Sequence, residues 1–300
     1  MTTGPVDGRP GQVLFVVGSP RSGTTWLQLL LGHHPAVSTA NETHLFSEFL
    51  GPMLRSWGRL EDSERAIGLS TVFSRRRFVD RLRSIAEETI DGIEEDGCRL
   101  VVEKTPAHAV WGDEILEIFP EARIVHLLRD PRDVVASLLA ASREWGGRWA
   151  PGNAYDAARW WREHVVAARS IRASTDRFYE LTYEDLYADP EAELGRLLEW
   201  TGLEASRETL RSAVEETRLS RMREGETEAP WELEEEPDGF VRKGGSGNWR
   251  VDLTGREARV VEQVNRDLMH ELGYDPHSGA VASALAALPY RVRDRVRDFL

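Results

Sequence analysis

Between Val13 and Leu31 the chain runs VLFVVGSPRSGTTWLQLLL. An apolar run enters a tight loop bearing Gly18 and Gly23, and a helix begins at Thr24 and Thr25. Loop amides and a helix N-terminus that converge in this way form an anion site, because their N–H groups carry partial positive charge toward one point. The spacing from Gly18 to Gly23 is that of the ATP-binding loop G-x-x-x-x-G-K-[ST], except that Thr24 stands in place of the lysine. The nearest cation is Arg21, inside the loop. The loop thus reads as a P-loop relative specialised for another anion, with Trp26 directly after its two threonines.

Two further segments suit an anion. The run IVHLLRDPRDVVAS places Arg129 at the end of an apolar strand, with Asp130 as helix N-cap and Pro131 as first helical residue, so the arginine sits beside a helix start. Ser137, two turns into that helix, can add a hydroxyl. Near the other end, RKGGSGNW combines Arg242 and Lys243 with closely spaced glycines beginning at Gly244. The 38 basic residues are 36 arginines and two lysines, Lys104 and Lys243, each inside a motif. A compact ammonium can sit beside a single reacting oxygen, whereas the guanidinium fork suits a static clamp, so the two lysines are candidates for work that arginine cannot do.

These residues need a scaffold that brings them together. Short apolar runs predict strands over Val13–Val17, a brief one near Val37, then Leu100–Glu103, Ile124–Leu128 and Phe178–Leu181. Apolar periodicity predicts helices over Ser74–Glu95, Pro131–Ser142, Tyr155–Ser174, Glu191–Thr201, Glu208–Thr217 and Glu257–Leu272. Short apolar strands alternating with helices imply an α/β fold, a P-loop-like parallel sheet covered by helices on both faces, with ligands at the carboxyl ends of the strands. A Gly- and Pro-bearing lead-in over residues 1–11 is expected to be disordered, and one domain is expected over 12–300. The acidic, aperiodic stretch 224–239 reads as a surface loop or lid. The amphipathic tail 281–300 reads as a helix docked on its own domain or, more sharply, as a homodimer contact.

With 51 acidic residues the net charge is −13, which argues against a general nucleic-acid binder. The single cysteine, Cys98, rules out an internal disulfide framework. No run approaches the ~18 apolar residues of a membrane span, and no apolar leader opens the chain, so the expectation is a soluble, cytoplasmic protein with no membrane partner.

Taken together the segments resemble the sulfotransferases that use 3′-phosphoadenosine 5′-phosphosulfate (PAPS). PRSGTTW is similar to the family's 5′-phosphosulfate loop, RDPRDVVAS to its 3′-phosphate element and FVRKGGSGNWRVDLT to its C-terminal RKG motif. TYEDL, Thr182 to Leu186, is similar to a segment whose tyrosine contacts the nucleotide, which nominates Tyr183. The resemblance spans Val13 to Pro276, and three motifs in order are more specific than any one. It implies that Arg21, Ser22, Gly23, Thr24 and Thr25 hold the phosphosulfate, that Trp26 lies against the adenine, and that Arg129, Ser137, Arg242, Lys243 and Gly244 bind the 3′-phosphate.

For the catalytic base the resemblance divides. The aryl and steroid branches carry a K-T-H histidine, but here the stretch is Glu103-Lys104-Thr105-Pro106. The tyrosylprotein and heparan branches place a glutamate after the first helix, where NETHLF offers Glu42; LGYDP, Leu272 to Pro276, also resembles the tyrosylprotein branch. Glu42 is thus the expected base, with His44 and His108 as alternates. Sulfuryl transfer rests on positioning and electrostatic stabilisation of an in-line displacement, as phosphoryl transfer does, and the lower charge of the group makes a metal dispensable. Lys104 and Arg21 would neutralise charge on the transferring group, leaving PAP as product. Phenol, alcohol, sugar, amine and peptide tyrosine all stay open as acceptors, a small molecule being favoured. The rival readings are a P-loop nucleotide kinase or NTPase, from the loop spacing, and a nucleotide-binding protein that has lost catalysis.

Overall fold

The structure, a computed structural model, describes residues 12–61, 68–147, 149–224 and 244–297. Five parallel strands, β1 (Gln12–Gly18), β2 (Val37–Thr39), β3 (Leu100–Lys104), β4 (Arg123–Leu128) and β5 (Phe178–Thr182), form one sheet in the order β2-β3-β1-β4-β5. Every strand expected from the sequence is present. Parallel strands buried on both faces are continuous apolar runs, and that makes them legible. Side chains alternate between the faces. Val13, Phe15 and Val17 of β1 enter a core with Phe46, Trp57, Phe78 and Leu82, while Leu14 and Val16 enter a second core with Leu27, Leu30 and Leu197.

The helices are α1 (Thr24–Gly32), α2 (Gly51–Glu61), α3 (Arg75–Asp91), α4 (Gly112–Ile118), α5 (Pro131–Glu144), α6 (Ala154–Ser170), α7 (Tyr183–Ala188), α8 (Pro190–Thr201), α9 (Arg207–Glu216), α10 (Leu219–Glu224), α11 (Trp249–Asp252), α12 (Gly255–Glu271) and α13 (Ala280–Arg297). Most helix ends shift by a residue or two from the periodicity, and two fall further short. The α3 helix stops at Asp91, before Gly92, rather than reaching Glu95, and α6 gives way at Ile171 to a 3₁₀ turn, Ile171–Ala173. A six-residue π-helix, Leu45–Leu50, runs straight into α2. Neither is visible as a pattern, because Gly51, Pro52 and Gly58 look like breakers. Gly51 is there because a Cβ would collide with the Trp111 ring and the Phe46 carbonyl. The α13 helix docks on its own domain: Tyr290 stacks on Tyr155, and Arg266 of α12 donates to Ser283 Oγ. Residues 1–11 and 225–239 of the expected lead-in and lid, and the last three residues of the tail, lie outside the described residues.

β1 is the switch point. The chain leaves it for β2 on one side and later adds β4 on the other, so the loop after β1 opens into the crevice between β3 and β4, where ligands of such sheets bind.

Candidate active site

The carboxyl ends of all five strands feed one cavity of ≈ 1170 Å³. β1 leads to Arg21, β2 to Glu42, β3 ends in Lys104, β4 leads to Arg129 and β5 to Tyr183.

The loop after β1 is tight for stated reasons. Gly23 has φ 102°, and a Cβ there would lie 2.6 Å from the Tyr183 ring, so only glycine fits. Arg21 also has a left-handed backbone, φ 73°. No side chain caps α1, which leaves its first amides directed at the cavity wall formed by Thr24 and Thr25. Arg21 Nε donates to Ser137 Oγ at 3.1 Å, joining two segments 116 residues apart, and its guanidinium faces the Trp145 ring at 5.3 Å.

Arg129 sits where three elements meet. Its Nη1 donates to Arg21 O at 3.3 Å and its Nη2 to Gly245 O at 2.9 Å, and its guanidinium lies 4.0 Å from the Tyr183 ring centroid. Asp130 caps α5 by accepting from Arg132 N, as its sequence position implies. The second arginine of RDPRD has a different task. Arg132 is buried, paired with Asp130 and Glu262 and stacked 4.3 Å over Trp249. Tyr183 accepts from Gly245 N at 3.1 Å, and burial pushes its phenol above the ordinary range although Arg129 opposes this, so it stays a neutral hydroxyl. Trp26 donates to Thr217 Oγ1 and meets Tyr183 edge-on, with centroids 5.7 Å apart. Gly244 lines the cavity; Arg242 and Lys243, the other members of its motif, lie outside the described residues.

Among the described residues two buried polar atoms of this region, Arg129 Nε and Ser22 Oγ, have no hydrogen-bond partner; Arg129 lines the cavity, whereas Ser22, 1% exposed, lies behind its wall. Such atoms are costly unless a ligand meets them. With the glycine cradle and the start of α1, the Arg129 guanidinium fits a phosphorylated or sulfated group.

At the other end of the cavity Lys104, its side chain 5% exposed, places Nζ 3.4 Å from Thr25 Oγ1 and 2.5 Å from Glu42 Oε1. One ammonium thus bridges the anion loop and the carboxylate nominated as base. Glu42 is one-third exposed and open to the cavity, and His44 Nε2 lies 3.6 Å from its other oxygen. His108 is elsewhere: it is fully buried, does not line the cavity, and has both ring nitrogens occupied by Glu103 and Phe46 N.

The structure adds residues that sequence reasoning missed. Asp133 accepts from Gly247 N at 2.6 Å and from Trp249 N at 2.8 Å, pinning the glycine turn after Lys243 to α5. Burial raises its carboxyl pKa despite those two amides. Trp145, Trp149 and Trp160 form an aromatic wall, with successive centroids 5.5 and 5.9 Å apart. The only sequence signal for it is the tryptophan-rich run EWGGRW after α5. Glu103 joins the missed set, one residue before Lys104.

A model of the sulfotransferase family matches residues 13–207. A putative protein-tyrosine sulfotransferase of Caenorhabditis briggsae is 27% identical over 201 residues, 66% of this chain and 68% of that protein. Sulfotransferase 2B1 of Rattus norvegicus is 28% identical over 167 residues, 51% of this chain and 49% of its own length, so the chain spans about half of that relative. Among solved structures, mouse sulfotransferase SULT7A1 complexed with PAP superposes with a TM-score of 0.55 at 15% identity, covering 89% of this chain and 88% of that one. At that identity the likeness is one of fold.

Proposed function

The chain belongs to the sulfotransferase family, and from that premise we propose that it moves a sulfuryl group from PAPS to the hydroxyl, or amine, of a small-molecule acceptor, with Glu42 as general base. The observation that carries this reading is the position of Lys104, whose single ammonium reaches both Thr25 of the anion loop and the Glu42 carboxylate. PAPS, when bound, supplies the sulfuryl group and leaves as PAP. Arg21, Ser22 and the amides at Thr24 and Thr25 would hold the phosphosulfate, Arg129, Ser137 and Gly244 the 3′-phosphate, and Trp26 the adenine. Arg242 and Lys243 belong to the same 3′-phosphate set by their place in the sequence.

Ion pairing between Glu42 and Lys104 gives a simple order of events. A sulfuryl oxygen competes with Glu42 for the ammonium, and the carboxylate is then free to take the acceptor proton. A base of this kind contributes ~10²–10⁴-fold. Lys104 and Arg21 stabilise charge on the transferring group, an interaction that matters most in the transition state. Among the described residues no helix is long and apolar enough to cross a membrane. We place the reaction in the cytoplasm, in keeping with the single cysteine.

The test is a thermal-shift comparison of PAP with ATP and GTP, each with and without magnesium, since a ligand of the native state raises its stability by mass action. PAP should stabilise the protein without magnesium. Stabilisation by ATP with magnesium and none by PAP would favour the kinase reading that the loop spacing allows.

A further inference from the structure

We propose that Glu103, through Thr43, Thr105 and His108, is the positioning group that sets the Glu42 carboxylate against Lys104; the proposal rests on the reading of Glu42 as base. Glu103 is 1% exposed, at the penultimate position of β3. Its Oε1 accepts from Thr43 Oγ1 at 2.8 Å and Thr105 Oγ1 at 2.7 Å, and its Oε2 accepts from His108 Nδ1 at 2.9 Å. Burial works to raise its pKa, but the hydrogen bonds from His108, Thr105 and Thr43 oppose it and favour the ionised form. The carboxylate thus has three donors and acts only as an acceptor.

Each of the three donors passes the anchorage on to the segment that follows Glu42. Thr43 is itself in that segment, and its hydroxyl oxygen accepts from Leu45 N at 3.2 Å. Thr105 Oγ1 accepts from His44 N at 3.3 Å, and His108 Nε2 accepts from Phe46 N at 3.1 Å. Each hydroxyl has one proton, spent on Glu103, and lone pairs that receive an amide. A proton on His108 Nε2 would face the Phe46 amide, so the ring is neutral with its proton on Nδ1 and serves as a strut. His44 is held at φ 52° between these anchors. Upstream, Gln28 Nε2 of α1 fixes Ala40 O at 2.6 Å. Glu42, with Asn41 beside it, thus faces the cavity between two pinned stretches.

The consequence is that β3 sets both partners of the ion pair: Lys104 belongs to it, and Glu42 is tied to the residue just before Lys104. A buried carboxylate is a poor way to gain stability alone, since well-packed apolar groups do as well. It is a good way to fix a loop in one place. A base must lie within hydrogen-bond reach of its proton, and displacement by about 1 Å costs up to ~10²-fold.

Thr43→Val removes one tie at a half-buried position, Thr43→Ser retains it, and Glu103→Gln offers an amide N–H₂ to one of the three donors. The full-length variants are compared with Glu42→Gln for sulfuryl transfer from PAPS to an alkyl alcohol and to a nitrophenol ionised at the assay pH. PAP affinity and thermal unfolding are measured alongside. Thr43→Val and Glu103→Gln should lose about tenfold to a hundredfold in kcat on the alcohol and less than about threefold on the nitrophenol, with PAP affinity kept. Thr43→Ser should match the parent. Wild-type turnover of the alcohol by folded Thr43→Val and Glu103→Gln, or equal loss on both acceptors, would overturn the positioning role while Glu42→Gln still shows the selective loss. If Glu42→Gln itself spares the alcohol, the base assignment fails first and takes this proposal with it.

Discussion

At the end of the cavity built on β1, β4 and β5 the clamps run mostly from side chain to main chain: Arg129 to two carbonyls, Tyr183 to the Gly245 amide, Asp133 to the Gly247 and Trp249 amides. At the end built on β2 and β3 side-chain pairs stand at the centre, Lys104 with Glu42 and Glu103 with Thr43, Thr105 and His108, and the main-chain ties to His44, Leu45 and Phe46 N extend from them. The first arrangement spreads the grip on an anion over many groups, so loss of one leaves the others. The second gives each group one task. Substitutions at the anion end should therefore cost graded affinity, and those at the β2–β3 end should cost turnover.

The sharpest way to break that contrast is Glu42→Gln. We expect the fold and PAP binding to persist while transfer to an alkyl alcohol falls ~10²–10⁴-fold, and acceptors already ionised to be spared because they need no proton removed. Retained transfer in this variant together with its loss in His44→Ala would give the role to His44, the histidine that shares the cavity.

Next in size is Lys104→Ala. Removing a group that meets transition-state charge costs ~10²–10³-fold in kcat, and PAP affinity should change by much less. Lys104→Arg should recover little, since a planar fork does not fit the buried point between Thr25 and Glu42. Full activity in Lys104→Arg would mean that the scarcity of lysine in this chain carries no chemical meaning.

At the anion end, Arg129→Ala should weaken PAP roughly tenfold to a hundredfold, the worth of a charged hydrogen bond of ~1.5–3 kcal/mol. Adenosine 5′-phosphosulfate, which lacks the 3′-phosphate, should lose much less, and titration calorimetry with both ligands decides it. Equal losses would mean that Arg129 acts through the loops it bridges, Arg21 and Gly245, and not on the 3′-phosphate.

The same contrast explains what could be read in advance. Strands of a covered parallel sheet advertise themselves as apolar runs, and the anion end is spelled by contiguous motifs in which glycine, arginine and a helix start follow one another. Convergence of Arg21, Glu42, Lys104, Arg129 and Tyr183 on one cavity follows from their positions at strand ends, and Ser137 joins them from within α5. Asp133 escaped because its partners lie more than a hundred residues away and it looks like any first-turn acid. Thr43 and Glu103 escaped for the same reason, 60 residues apart. His108 was open to assignment as a base because nothing local reveals that Glu103 and the Phe46 amide occupy both its nitrogens.

The smallest expected effect separates the two ends by pH. His126 of β4 is buried with Nδ1 3.1 Å from Glu180 Oε2 and Nε2 without a partner among the described residues, and His164 of α6 is buried against Trp160 O. Burial lowers the pKa of both below 6.5, against the pull of Glu180 on His126 and of the Trp160 carbonyl on His164; Arg169 and Arg172 push His126 further down. The folded state thus holds them neutral, while the unfolded chain takes up protons below 6.5. Their contribution to stability is intact above that value and is lost as pH falls from it toward the folded values. At the β2–β3 end the hydrogen bonds to Glu103 favour its charged form, so this pair of ends differs in the sign of what burial leaves titrating. His126→Leu should flatten the fall in Tm between neutral pH and about pH 5, because Glu180 keeps Arg169 at 3.1 Å and is not orphaned. An unchanged slope would move the acid sensitivity to His164 or to the carboxylates, and His164→Leu in the same scan tells these apart.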